Sequence, residues 1–455
     1  MNDNAGSSRQ NRYDKQRRKR QLTPPQALIL GFAGLILAGA LLLNTAWATK
    51  TSVAPGFLTA LFTATSAVCV TGLVVVDTGT YWSPFGQAVI LLLIQLGGLG
   101  IMTSATLFSI LLGRQIGLKE RLLIRESLNQ VNVAGVVRLV RYVLLYTVIV
   151  EGFFALILMF RLSRDYAGFK GLWFGLFHAV SAFNNAGFDL FGGFRSITGY
   201  VGDPVVTLGI AFPIILGGLG FSVLNEVVTR KNWRRFSLHT KLTLATTVVL
   251  LVTGMAVFLV LEYNHAIKDF SLPVKLLASF FQAVTPRTAG YNSVNIGTLY
   301  PTTLFFICIL MFIGASPGST GGGVKTTTFA LLSLSIGSLV AGREDTEVFG
   351  RRIPFSQVVK AVAIFLLALG WVSGAVFVLL IVEHKGFLQL LFETVSAFGT
   401  VGLSTGITPH LTVVGRIVII LTMFVGRLGP LTVAFALAQR RHPLYRHPEE
   451  QILVG

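Results

Sequence analysis

The sequence predicts an all-α integral membrane protein built from four tandem units, each an outer helix, a re-entrant pore helix, a glycine-bearing loop and an inner helix. Two observations predict this fold. Long apolar segments recur along a chain that is 53% hydrophobic and 12% charged, with a mean hydropathy of +0.71. Between them lie four short apolar stretches that share a motif. No ordinary soluble domain carries such a composition on its surface.

The apolar segments set the membrane crossings. A helix needs about 20 apolar residues to cross a hydrocarbon core of about 30 Å. Eight segments qualify, near residues 27–48, 85–112, 139–160, 204–228, 242–262, 302–338, 356–382 and 411–438. A stretch too short to span lies within each successive pair and is predicted to be the pore helix. The predicted divisions are a basic tail (1–26), pore repeats at 27–113, 114–230, 231–342 and 343–440, and a second tail (441–455).

Basic residues cluster at every second crossing. The clusters contain Arg12, Lys15, Arg17, Arg18, Lys19 and Arg20, then Arg114, Lys119, Arg121 and Arg125, then Arg230, Lys231, Arg234 and Arg235, then Arg343, Arg351 and Arg352, and finally Arg440, Arg441 and Arg446. The intervening loops carry a near-balanced charge. The positive-inside rule therefore puts both termini in the cytoplasm. This placement also argues against nucleic-acid binding as the reason for the formal charge of +18.

Aligning the four short stretches reveals the repeat. Each has the form Phe-x-x-x-Ser/Thr-Ala/Pro and begins at Phe62, Phe177, Phe281 or Phe392. A glycine follows each phenylalanine by 10, 10, 9 and 10 residues, at Gly72, Gly187, Gly290 and Gly402. A second glycine recurs in each inner segment, at Gly97, Gly217, Gly314 and Gly426. Both glycines recur at similar spacings in all four stretches. This indicates four copies of one unit, arranged around an axis.

The glycine-bearing loops are predicted to form a selectivity filter. Irregular backbone is tolerated at membrane depth only where it is buried or lines a wet cavity. Rings of backbone carbonyls can replace the hydration shell of a cation, and glycine lets those carbonyls turn toward the axis. The alternative is that these glycines only make tight turns or pack helices. The predicted filter residues are Val70, Thr71, Gly72, Asn185, Ala186, Gly187, Thr288, Ala289, Gly290, Thr400, Val401 and Gly402.

These motifs resemble the Trk/Ktr/HKT superfamily of potassium transporters. The resemblance is carried by Val70-Thr71-Gly72-Leu73, Asn184-Asn185-Ala186-Gly187-Phe188, Thr285-Pro286-Arg287-Thr288-Ala289-Gly290 and Gly399-Thr400-Val401-Gly402-Leu403. It covers about residues 27–455 and is greatest for the membrane subunits of the Ktr branch.

The resemblance implies potassium uptake across the bacterial cytoplasmic membrane by a homodimer, surrounded by membrane lipid, with one pore per subunit. It also implies a cytoplasmic nucleotide-binding ring of the KtrA type. ATP or ADP would bind to that partner, since this chain has no soluble domain of sufficient size. Sodium as an activator stays open. The nearest alternative function is a sodium-selective or poorly selective cation path, although glycine at all four filter positions favours potassium.

The third inner segment breaks the symmetry. Proline and repeated glycine disfavour a continuous helix there. The resemblance implies an intramembrane gate loop, and the alternative is a packing kink. A phosphate-binding loop is excluded because Val324 separates Gly323 from Lys325. The predicted gate residues in this segment are Gly314, Ala315, Ser316, Pro317, Gly318, Ser319, Thr320, Gly321, Gly322, Gly323 and Lys325.

Arg427 is the second break in symmetry, because its counterparts are Gly98, Gly218 and Ala315. An arginine at mid-membrane is costly and normally faces a wet interior. The resemblance implies a positive charge below the filter that hinders cations and anchors the gate. The alternative is a structural pairing with carbonyls or with an acid such as Glu151.

The remaining polar residues predict no catalysis and no resident metal. No paired carboxylates, Ser-His-Asp or Cys-His set has catalytic spacing, so an enzyme is not expected. His178 and Glu393 lie on pore helices without metal-ligand spacing, which favours packing or a vestibule charge. Arg287 is expected near the filter, either as a brace or as a solvent-facing charge.

Overall fold

The computed structural model describes residues 23–100, 136–437, 448 and 450. The predicted basic clusters at 12–20, 114–125 and 440–446 lie outside these residues, as does most of the C-terminal tail. The regular secondary structure of the described residues is almost entirely helical. Two-residue strands β1 (Glu347–Val348) and β2 (Arg351–Arg352) pair antiparallel. Short 3-10 turns occur at Ala46–Ala48, Thr198–Tyr200, Trp233–Arg235, Ile296–Thr298 and Thr408–His410.

The four outer helices are long and unbroken. They are α1 (Pro24–Leu43), α5 (Val136–Leu162), α9 (Leu238–Glu262) and α13 (Phe355–Val382). With 20 to 28 residues, each can cross a bilayer alone. Their outward faces expose large apolar side chains such as Val148 and Phe377, at 70% and 66%. Such faces require lipid rather than water around them.

The four pore helices are short and buried toward their C-terminal ends. They are α2 (Phe57–Val68), α6 (Phe169–Phe183), α10 (Leu272–Val284) and α14 (Phe387–Gly399). The motif phenylalanines Phe62, Phe177, Phe281 and Phe392 are each 0% exposed. These rings hold the pore helices against the protein core, which explains why the motif begins with a large apolar residue.

The inner helices of repeats 2 and 4 are sharply bent, which the apolar spans do not predict. Helix α4 (Pro84–Leu99) ends at Gly100, after the four-residue helix α3 (Thr78–Tyr81). Helices α7 (Pro204–Leu219) and α8 (Phe221–Arg230) meet at 95°, and α15 (Val413–Leu428) and α16 (Pro430–Leu437) form a similar bend of 93°. Gly220 and Gly429 stand at the bends with φ of 93° and 85°, a conformation that glycine adopts without strain.

The third inner segment has the longest break. Helix α11 (Pro301–Phe312) stops at mid-segment, and α12 (Thr326–Val340) resumes the chain. We call residues 313–325 between them the central loop. Pro317 lies three residues after Gly314. In the other repeats the residue at the equivalent position is a glycine: Gly100, Gly220 and Gly429. The prediction that this segment is not a continuous helix is confirmed.

The repeats close into a ring. Each inner helix packs against the pore helix of the next repeat: α4 on α6, α7 on α10, α11 on α14, and α15 back on α2. The last contact joins the two ends of the chain and completes the cycle. The predicted fold of four tandem pore repeats in pseudo-four-fold arrangement is therefore the observed one.

Candidate ion pathway

The four predicted filter glycines form a closed ring, which we call the glycine ring. Each faces the backbone carbonyl that precedes the glycine of the next repeat: Gly72 faces Ala186, Gly187 faces Ala289, Gly290 faces Val401, and Gly402 faces Thr71. A Cβ atom at any of the four would come closer than 3.0 Å to that oxygen. The four φ angles lie between 69° and 97°. Glycine is therefore required by both the space and the backbone conformation.

The backbone before each glycine repeats the same geometry. The residue two positions earlier is left-handed in every copy, at Val70, Asn185, Thr288 and Thr400, with φ from 50° to 71°. This conformation is uncommon outside glycine and costs of order 1 kcal/mol or more. The next residue donates its N–H to the carbonyl of the motif Ser or Thr on the pore helix, at 2.8 to 3.0 Å. The third copy has the same geometry with one residue fewer.

Cavities lie on both sides of the glycine ring. On one side a cavity of about 320 Å³ is lined by all four glycines and by acidic side chains that include Asp77 and Asp189. On the other, a cavity of about 250 Å³ is lined by central-loop residues, among them Gly321 and Lys325, and by Arg427. A path through the ring would therefore connect an acidic mouth to a basic chamber.

The central loop contacts the predicted filter directly. The Thr320 hydroxyl donates to Asn185 Oδ1 at 3.1 Å, and the Gly322 N–H donates to Thr400 Oγ1 at 3.0 Å. A Cβ on Gly321 would collide with Oγ1 of Thr288. One loop thus contacts residues from repeats 2, 3 and 4, which requires it to lie close to the axis.

Other bonds hold the central loop in place. Its Ser316 N–H donates to the Gly218 carbonyl at 3.0 Å, and its Gly318 carbonyl accepts from the Phe221 N–H at 2.9 Å. Within the loop, Lys325 Nζ donates to the Gly321 carbonyl at 2.7 Å. The remaining bonds are Ser319 Oγ to the Ser316 carbonyl, Gly314 N–H to the Val324 carbonyl, and Gly323 N–H to the Gly426 carbonyl. Ala315 is fully buried, and the carbonyl of Pro317 lies against Gly220.

Arg427 joins this loop to the first repeat. Its guanidinium donates to the carbonyl oxygens of Thr320 in the central loop and of Gly97 in α4, and at 3.3 Å to that of Gly98. Glu151 instead accepts from Gln95 Nε2 at 3.3 Å and Asn184 Nδ2 at 2.9 Å. The sequence left open whether Arg427 pairs with carbonyls or with Glu151. In the structure Arg427 donates to backbone carbonyls, and Glu151 accepts from side-chain amides.

Comparison with known proteins identifies the family. The family model "TrkH: Cation transport protein" matches residues 22–443. This chain belongs to the TrkH family of cation transport proteins. It is 46% identical to the Ktr system potassium uptake protein B of Bacillus subtilis, over 96% of this chain and 97% of the relative. It is 38% identical to the potassium/sodium uptake protein NtpJ of Enterococcus hirae, over 97% and 99%.

A solved structure shows the same fold. The potassium transporter TrkH from Vibrio parahaemolyticus superposes with a TM-score of 0.71, covering 92% of this chain and 86% of that chain, at 17% sequence identity. The chain thus has the helical architecture of that structure.

In this member of the TrkH family, the second landmark glycine serves helix packing. A Cβ on Gly97, Gly217 or Gly426 would collide with a carbonyl at the C-terminal end of the pore helix in the same repeat. Gly314 is the exception, since it faces the Gly322 carbonyl of the central loop. The periodic glycines that the sequence aligned therefore have two different roles.

The other candidate polar residues are buried and hydrogen-bonded within the protein. His178 donates from Nδ1 to the Phe174 carbonyl at 2.6 Å and accepts at Nε2 from the Leu190 N–H at 3.2 Å, which defines a neutral tautomer. Arg287 is 5% exposed and donates to Thr247 Oγ1 at 3.2 Å, so it is a brace rather than a solvent-facing charge. Among the described residues, no group of three or more His, Cys, Asp or Glu could hold a metal.

The carboxylate of Glu393 has a role that the sequence did not indicate. It accepts from the Ser404 hydroxyl at 2.6 Å, the Thr405 N–H at 2.9 Å and the Thr408 hydroxyl at 2.6 Å. These donors belong to the loop that follows Gly402. The only available signal was an acid on an apolar pore helix, which does not reveal its partners.

Proposed function

We propose that this chain carries potassium ions across the cytoplasmic membrane along the axis of its four repeats. The filter would be formed by residues 70–72, 185–187, 288–290 and 400–402. The observation that carries the proposal is the closed glycine ring, in which each glycine faces a carbonyl of the next repeat. Four equivalent backbone segments on one axis are the arrangement that can replace the hydration shell of a cation. Both relatives named above are potassium uptake proteins by name.

The central loop and Arg427 are proposed as the gate. The loop is bonded to predicted filter residues at Asn185 and Thr400, so an ion leaving the filter would meet it first. A fixed positive charge near the axis raises the energy of a passing cation, most strongly where little water screens it. Glycine-rich backbone can move without side-chain clashes. Flux would then require the loop to leave the axis.

The proposed setting follows the same resemblance. Both termini would be cytoplasmic, the protein would be a homodimer, and a nucleotide-binding ring of the KtrA type would bind ATP or ADP and control the gate. The word "system" in the name of the Bacillus subtilis relative supports a multi-component assembly. The name of the Enterococcus hirae relative includes sodium, which supports a role for sodium either as an activator or as a second transported ion. The four pore repeats would retain the boundaries given above.

Growth of a cell lacking its own potassium uptake tests the proposal. Expression of this chain, with and without a KtrA-type partner, is expected to restore growth at low potassium, and rubidium uptake should measure the flux. Sodium in excess should not abolish uptake if the path is potassium-selective. Failure to grow with the protein present in the membrane would contradict the proposal. Growth with uptake that sodium suppresses would favour the sodium-conducting alternative.

A further inference from the structure

An apolar pocket lies between repeats 1 and 2, away from the ion pathway. We call it the outer pocket. It has a volume of about 560 Å³, is open on one side, and is walled by Pro84, Ala88, Tyr166, Trp173 and Phe174. The Trp173 indole N–H donates to Gln87 Oε1 at 2.9 Å, so the wall joins α6 to α4. The pocket is thus built from elements of two repeats that are held together.

Two lysines stand at the edge of the outer pocket. Lys50, in the link between α1 and α2, donates from Nζ to the Gly79 carbonyl at 2.7 Å, which leaves two of its three donors available. Lys170, in the first turn of α6, holds its ammonium 5.0 Å from the ring centre of Tyr166 and 5.4 Å from that of Phe174. The described lining residues include no Asp or Glu. The pocket therefore has two positive charges and no acid of its own.

The outer pocket lies at the end of the helices where lipid headgroups are expected. The pocket lies where α6 begins and where α1 has just ended, so it stands at the membrane face on which the pore helices start. Phe169 and Trp47 flank this region with 77% and 80% of their surface exposed. Aromatic side chains concentrate at the interface between headgroups and acyl chains. An apolar wall below two ammonium groups matches the chemistry of a lipid with a negative headgroup.

We propose that the outer pocket binds one anionic phospholipid, with its phosphate at Lys50 and Lys170 and part of an acyl chain against Trp173 and Phe174. The size fits part of one chain, and the open side leaves the rest of the lipid in the bilayer. Charge complementarity selects an anionic over a zwitterionic lipid. The apolar wall selects a lipid over free phosphate, because free phosphate has no acyl chain to bury against it.

Native mass spectrometry of the purified full chain tests this site. Phosphatidylglycerol is titrated against phosphatidylcholine with the same acyl chains, and bound lipid is counted. One phosphatidylglycerol is expected to be retained preferentially. Each lysine is expected to contribute about fivefold to the affinity for an anionic headgroup. The variant Lys50→Ala/Lys170→Ala should therefore bind phosphatidylglycerol about 25-fold more weakly. Ala88→Phe, which keeps both charges but fills the pocket, should also remove the preference.

The repeats supply a matched control. Lys385 precedes Phe392 by seven residues, as Lys170 precedes Phe177, and Lys268 lies in the link between α9 and α10. The variant Lys268→Ala/Lys385→Ala removes the same charge near the start of the pore helices of repeats 3 and 4 and should retain the lipid. Equal weakening in both double variants would overturn the site, as would unchanged binding in Ala88→Phe. Displacement of the lipid by inorganic phosphate alone would also overturn it, because the apolar wall would then contribute nothing.

Discussion

The Arg427 guanidinium donates a hydrogen bond to the backbone carbonyl of Thr320, across 107 residues of sequence. The same guanidinium donates to the Gly97 carbonyl, so one side chain connects repeats 1, 3 and 4. A charged donor on a backbone acceptor contributes about 1.5–3 kcal/mol where water is scarce. Arg427 therefore holds the central loop in the position that the structure shows.

Removing this arginine is expected to speed ion flux. In Arg427→Ala the loop loses its link to repeat 1 and the axis loses a positive charge. A shift of about 1.4 kcal/mol in the loop equilibrium gives about tenfold faster rubidium uptake. Uptake is compared at matched expression with Arg343→Ala, which removes an exposed arginine after α12. Unchanged or slower uptake in Arg427→Ala would count against both the barrier and the anchor.

Gly290→Ser is expected to degrade selectivity. The added Cβ would collide with the Val401 carbonyl, and the φ of 77° is unfavourable for serine. The displaced Val401 carbonyl can no longer coordinate the ion together with the carbonyls of the other repeats. The ratio of potassium to sodium uptake should therefore fall, by about tenfold if potassium binding loses about 1.4 kcal/mol.

Gly199→Ser is the matched control for Gly290→Ser. Gly199 lies in an outer turn where a Cβ meets nothing within 4 Å, so the selectivity of this variant should be normal. The filter assignment is wrong if Gly290→Ser keeps the parental preference for potassium.

Thr320→Val tests the contact between the central loop and the filter. The substitution keeps the shape but removes the hydroxyl that donates to Asn185 Oδ1. If the central loop acts as the proposed gate, a loss of about 1 kcal/mol from the loop position seen here should raise flux about fivefold. Thr327→Val, at the start of α12, makes the same chemical change outside the loop and should behave as the parent. Identical flux in the two variants would show that this contact does not restrain the gate.

Glu393→Ala is expected to lower stability through the loop after Gly402. Four donors, the hydroxyls of Ser404, Thr405 and Thr408 and the Thr405 N–H, lose their buried acceptor. The expected loss is about 3 kcal/mol, and Glu393→Gln should lose less because it keeps one acceptor oxygen. Thermal unfolding in detergent measures both. Glu344→Ala, at an exposed position, is the control, and a Glu393→Ala variant as stable as this control would contradict the bracing role.

Much of the site was accessible from the sequence because its signals are local. The motif at Phe62 and its three copies lies within about ten residues of the glycine that it positions. The third copy, one residue shorter, still donates from Ala289 to the Thr285 carbonyl. The bends at Gly220 and Gly429 were not predicted, because a glycine in an apolar run does not by itself distinguish a left-handed turn from a packing contact.

The sequence by itself determined that the chain is a membrane protein of four pore repeats, since hydrophobic length and motif spacing are properties of the chain alone. Only the tertiary structure decided that Gly402 closes on Thr71, that Arg427 binds carbonyls while Glu151 binds amides, and that the central loop contacts the predicted filter. The physical reason is that these partners lie tens to hundreds of residues apart. Their pairing depends on how the closed ring brings the repeats together, which no local pattern encodes.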